Sequence, residues 1–237
     1  MAAGHMRFRG QYVKSTTKFL AFGLAGGAAI AISGCGSSSG PKEPGAASLA
    51  KSAMKSVGKA KSVHVDGVEP DNGLPVNLSI NSAGDMSGTI RLDGANTEII
   101  RVKGNVYLKL TSGILRQYNA PASACPTVCG HWVKLSRTEA SLLAGPYTMS
   151  SLNGDIVATS LSKVTDAGSA KVGSQAVWVV TEINGTIVYL SQKATHYPLE
   201  VKPATGSSGV VEYSQWNAVP TPKAPPASQI VSLSSLR

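Results

Sequence analysis

Phenylalanine is scarce in this chain of 237 residues, and its three copies, Phe8, Phe19 and Phe22, all fall near the start. Any core built downstream must use Val, Ile, Leu and Ala with Tyr and Trp, a diet that favours sheet. Charged residues are only 15% of the chain, and Gly and Pro number 25 and 13. No acidic tail, coiled coil or collagen-like repeat fits those figures. The 13 acids are spread singly, with no two at a spacing that suggests a catalytic pair. Beyond the leader described next, histidine is limited to His64, His131 and His196. That leaves little for a metal centre or for histidine catalysis, so no metal, no cofactor and no enzymatic activity are expected.

The formal charge is +9, but Arg7, Arg9, Lys14 and Lys18 precede Cys35 with no acid among them; +9 less these four leaves about +5. That excess needs no nucleic-acid partner. Residues 7 to 18 are basic, Phe19 to Ile32 form a 14-residue apolar run, and Ile32-Ser33-Gly34 leads into Cys35. This is the charged, apolar, small order of a signal peptide, and the run is shorter than the ~20 residues a spanning helix needs. Residues 1–34 are therefore expected to be a removable leader. Ile-Ser-Gly-Cys looks like a bacterial lipobox, which implies diacylglyceryl transfer to the Cys35 sulfur, cleavage before it and acylation of the new N-terminus by a fatty acid such as palmitate. Two or more acyl chains give stable anchoring. The expected location is the outer face of the cytoplasmic membrane. Gly36-Ser37-Ser38-Ser39-Gly40 spells G-x-S-x-G, but no strand precedes it and no helix follows, so residues 35–45 read as a flexible tether.

Ala46 to Ala60 predicts a helix: Leu49, Ala53, Val57 and Ala60 share one face, and Lys51, Lys55 and Lys59 repeat on the other. The lysine face is either an ordinary solvated surface or a basic surface held near anionic headgroups. Period-two alternation follows in Val63 and Val65, in Leu74, Val76, Leu78 and Ile80, and in Met86, Ile90 and Leu92, continuing through Ile100, Val102, Val106, Leu108 and Leu110. Turn formers separate these runs, so they predict antiparallel strands with one apolar face. Ser136-Arg137-Thr138-Glu139 spells a capping box opening a helix through Leu143, and Met149, Leu152 and Ile156 form the stripe of a second helix. Strands resume at Ala176 to Ile183, Thr186 to Ser191 across an Asn184-Gly185 hairpin, Pro198 to Lys202, and Gly209 to Trp216. The proline-rich tail, residues 217–237, is extended at first, with Ile230 to Leu236 placed to pack back on the sheet.

The resulting order, helix, five strands, two helices, four strands, is an α+β layer over residues 46–216. Nine strands with one apolar face need more cover than three short helices provide, so the sheet curls or keeps an apolar cavity. The expected cavity lining is Val65, Leu78, Ile80, Ile90, Leu92, Ile100, Val102 and Leu108 from the first strands, Met149, Leu152 and Ile156 from the helices, and Val177, Val179 and Leu199 from the later strands.

Ser62-Val63-His64-Val65-Asp66-Gly67, the stretches from Gly88 to Gly94, Glu98 to Val102 and Asn105 to Lys109, His131-Trp132-Val133-Lys134-Leu135 and Tyr197-Pro198-Leu199 look like the LppX/LprAFG lipoproteins of mycobacteria and their actinobacterial relatives. The resemblance spans roughly Ala46 to Trp216, and its motifs are strands and turns. It implies a LolA-like half-barrel, a curved antiparallel β-sheet with helices across its concave apolar face. It also implies a monomer that binds an acylated lipid or lipoglycan and moves it within the envelope, with a lipid exporter as a partner.

Cys125-Pro-Thr-Val-Cys129 is not a hallmark of that family. With Cys35 acylated, Cys125 and Cys129 are an even pair in an exported protein, which suits a local disulfide. The sharper alternative is copper or redox chemistry, because C-P-x-x-C with His131 nearby resembles the Sco copper chaperones and thiolates suit Cu(I). That family needs a thioredoxin-like βαβ pattern, which is missing. A structural or interaction module with a filled core is the remaining alternative, distinguished from a carrier by lacking an apolar pocket of several hundred Å3.

Overall fold

The computed structural model describes residues 44–68, 75–92, 94–117, 120–153, 163–204 and 209–232. The expected leader, the Cys35 acylation site and most of the tether lie outside the described residues, as do Leu74 and Ile156.

Two antiparallel meanders share one sheet. The first comprises β1 (Ser62–Val68), β2 (Pro75–Asn81), β3 (Met86–Leu92), β4 (Ala95–Val102), β5 (Asn105–Lys109) and β6 (Trp132–Lys134). The second comprises β7 (Val164–Val172), β8 (Gln175–Glu182), β9 (Ile187–Ser191), β10 (Pro198–Lys202) and β11 (Val211–Ser214), and β11 returns to pair with β1. A two-residue β12 (Ile230–Val231) lies parallel to β6 at one edge, and β7 is the other edge, so the sheet is open. The α+β fold with a large, curved and mainly antiparallel sheet is therefore as expected, with twelve strands among the described residues where nine were expected.

The helices are α1 (Ala46–Val57), α2 (Ser112–Gln117), α3 (Cys125–Val128), α4 (Arg137–Ala144) and α5 (Met149–Asn153). Helix α1 packs against β7 and β8, α2 against β4 and α4 against β5. As the period of α1 dictates, Leu49, Ala53 and Val57 are buried while Lys51, Lys55 and Lys59 are exposed. The capping box of α4 forms in full: the Ser136 amide donates to Glu139 Oε2 at 2.8 Å and the Glu139 amide to Ser136 Oγ at 3.3 Å.

Cross-strand registry places the inner face in continuous rows. One runs Tyr213, Val65, Leu78, Gly88, Ile99, Leu108 and Val133 across seven strands. Glycine is required within it. Gly88 has φ 151, and a Cβ there would stand 2.0 Å from the Asn77 carbonyl oxygen; Gly67, with φ 139, would meet the Val210 carbonyl oxygen at 2.1 Å. Such strand glycines permit the close backbone approach that sharp curvature needs.

Several expectations need correction. In β4 the inner residues are Thr97 and Ile99, so Ile100 and Val102 lie half-buried on the outer face, and Arg101 points inward. The pairing of Ile99 with Gly88 and Leu108 settles this parity. In β8 the inner pair is Trp178 and Val180, which face Leu190 and Val188; Val177 and Val179 belong to the opposite face. Leu199 falls at a register shift between Pro198 and Glu200 and joins neither core. Strand β7 was not expected because Val164–Val172 mixes small and polar residues without apolar alternation.

Candidate functional site

The buried apolar side chains divide into two cores. One gathers Leu49, Ala53 and Val57 of α1 with Val63, Val65, Val76, Trp178, Val180, Val188, Leu190 and Tyr213. The other gathers Leu78, Ile80, Met86, Ile90, Ile99 and Leu108 with Ile114, Leu115, Val128, Val133 and Ala144. The division runs along the β1–β2 ladder: Val63 faces Ile80 and Val65 faces Leu78 in registry, yet each pair is split between cores. Tyr147, Met149 and Leu152 pack against both cores and are themselves only half-buried. The seam beneath α5 is thus bordered by apolar side chains from both halves of the sheet.

Of the expected lining, Val65, Leu78, Ile80, Ile90, Leu92, Leu108, Met149 and Leu152 come together on the two cores. Ile100, Val102, Val177, Val179 and Leu199 do not, for the reasons of parity and bulge given above. Tyr147 was missed, although it stands two residues before the recognised stripe. The start of α5 also carries a legible signal, since the Ser151 amide donates to Thr148 Oγ1 at 3.0 Å as in an N-cap.

Arg101 fixes this covering segment. Its Nη1 donates to the Ala144 carbonyl at 2.6 Å, its Nη2 to the Tyr147 carbonyl at 2.5 Å, and its Nε to the Gly84 carbonyl. A guanidinium on carbonyls at a helix C-terminus satisfies acceptors that the helix leaves open and suits its dipole. Burial pushes the Arg101 pKa down, while the nearby Asp85 carboxylate acts in the other direction. Asp85 itself accepts from the Lys103 amide at 2.8 Å.

Two open clefts flank the aliphatic core. One, of about 580 Å3, lies between Gly94–Asn96 and Thr111–Gly113. The other, of about 620 Å3, lies between the β4–β5 turn, β6 and α4, with Arg101, Lys103, Lys134 and Arg137 on its walls. Neither is the apolar cavity expected between sheet and helices. Cys125 and Cys129 are joined in a disulfide across the single turn of α3, with Cα atoms 4.7 Å apart. Closed in this way, the pair presents no thiolate to a metal. Among the described residues, no helix is long and apolar enough to cross a membrane, and no three His, Cys, Asp or Glu side chains cluster for a metal.

The sequence matches no family model and no curated protein. In structure, the chain is similar to LprF from Mycobacterium bovis, with 14% identity, a TM-score of 0.50, and coverage of 75% of this chain and 96% of that one. The fold is that of LprF. The Mycobacterium tuberculosis lipoprotein LppX also aligns, at 14% identity and a TM-score of 0.46, over 75% of this chain and 98% of that one. The expected resemblance to the LppX/LprAFG lipoproteins thus holds at the level of the fold, and the LprF-like sheet is the frame in which the seam, the Arg101 clamp and the basic cleft are set.

Proposed function

We propose that this protein is an exported, acyl-anchored envelope lipoprotein that binds an acylated lipid or lipoglycan along the seam beneath α5 and carries it within the envelope. The observation that carries the reading is the division of the apolar interior. A domain of this size normally has one contiguous core with small satellites, whereas here two cores of fourteen buried residues each meet at a line spanned by half-buried Tyr147, Met149 and Leu152. A hydrocarbon chain laid along that line would touch both. At ~0.8 kcal/mol per buried CH2, about ten methylenes contribute ~8 kcal/mol before the costs of association. The anchor rests on the leader and Cys35, and a lipid exporter is a fitting donor for such a carrier.

One observation favours a structural envelope module instead: neither described cleft is a mainly apolar cavity. Fluorescent fatty-acid binding separates the two readings. The parent should take up the probe, and Met149→Trp and Leu152→Trp, which fill the seam, should abolish uptake while leaving the circular dichroism of the sheet unchanged. Equal binding by all three, or binding by none, would favour the structural module or a different site.

A further inference from the structure

The cleft of about 620 Å3 beside α4 is lined by four cations, Arg101, Lys103, Lys134 and Arg137. Arg101 is spent on backbone carbonyls, as described above. Lys103, Lys134 and Arg137 are exposed, and none forms a salt bridge among the described residues, whereas Lys109 and Lys202 elsewhere on the sheet are paired with Glu98 and Glu200. Of the acids near these cations, Glu98 is paired with Lys109, Asp85 accepts from the Lys103 amide and Glu139 from the Ser136 amide. Three cations without a salt bridge among the described residues therefore border one concave space large enough for a headgroup. Convergent Lys and Arg side chains recognise phosphate by charge-assisted hydrogen bonds, the guanidinium in bidentate fashion.

A second feature bears on what bears the phosphate. The cleft is tied to the seam, because Arg101 both lines it and holds the Tyr147 carbonyl. We propose that this cleft is an anion site that takes a phosphate-bearing group, supplied by the headgroup of the carried lipid. The headgroup source rests on the lipid-binding reading above; the anion site does not.

The test uses the folded chain from Glu43 onward with its anchor replaced by a tag outside that compact unit. Short-chain phosphatidylglycerol, diacylglycerol with the same chains, and soluble glycerol phosphate are titrated at low salt. The parent should bind phosphatidylglycerol about tenfold or more tighter than diacylglycerol. Combining Lys103→Gln, Lys134→Gln and Arg137→Gln should reduce that gap to less than about twofold, with diacylglycerol binding unchanged. Lys51→Gln, Lys55→Gln and Lys59→Gln together, an equal loss of charge on α1, should leave the gap intact. Equal affinity for glycerol phosphate and phosphatidylglycerol, lost in the cleft variant, would uphold the anion site and assign it to a soluble phosphate. No gap in the parent, or a gap that survives the cleft variant, would overturn the inference while leaving lipid binding standing. Glycerol phosphate bound without either lipid would sink the lipid reading alone, and binding of none of the three would sink both.

Discussion

The core over β2–β6 has no aromatic side chain among its buried members, whereas the core over β7–β11 is built on Trp178 and Tyr213. At the margin of the second, Tyr197 stacks on Trp216 with centroids 4.6 Å apart, and Trp216 Nε1 donates to the Pro198 carbonyl at 2.8 Å. Large rigid rings with satisfied polar atoms hold that half by packing. The first half, built from aliphatic side chains in a domain without Phe, is held by discrete devices: the Arg101 clamp, the Ser136–Glu139 capping box and the Cys125–Cys129 disulfide.

Breaking the curvature of the aliphatic half should have the largest effect. Gly88→Ala forces a side chain onto φ 151 and into the Asn77 carbonyl, and urea denaturation should reveal a loss of about 3 kcal/mol or more. Next is Arg101→Met, which leaves the Ala144 and Tyr147 carbonyls without their donor. Its expected cost is ~1.5–3 kcal/mol. Hydrogen exchange should show the loss in α4 and α5 with the β7–β11 amides unchanged; uniform loss would erase the distinction between the halves. The smallest effect belongs to the outer face of the aromatic half. There the hydrogen bond to Glu200 holds the Lys202 pKa above its ordinary value of 10.5. A raised lysine pKa means the pair's contribution is whole below that ordinary value and is lost as pH rises through the raised one. Lys202→Met, which leaves the buried Glu200 carboxylate without its partner, should therefore remove about 1 kcal/mol at neutral pH and flatten the stability curve only above pH 10.5.

The strands that alternate cleanly, β1 to β3, were legible from their residues, as were α1 and the capped start of α4. Parity failed where both faces are apolar. Glu98-Ile99-Ile100-Arg101-Val102 reads equally well either way, because the outer face of this half carries Ile100, and Tyr107 opposite it. The same ambiguity in Val177-Trp178-Val179-Val180 hid the inner pair Trp178 and Val180. An inward arginine contradicts the rule that strands bury their apolar face, and only the carbonyls at the end of α4, more than forty residues on, explain it. The basic cleft was invisible for a related reason: Lys103 is far in sequence from Lys134 and Arg137 and is brought to them through the β4–β5 and β5–β6 pairings.

We propose that an acylated lipid occupies the line between the two cores. Native mass spectrometry of the non-acylated protein, expressed in and purified from its own envelope, tests it most directly. The expected result is a population heavier than the polypeptide by the mass of an acylated lipid, released on denaturation and missing from Leu152→Trp. Polypeptide mass alone for the parent, or the same bound lipid on Leu152→Trp, would contradict it.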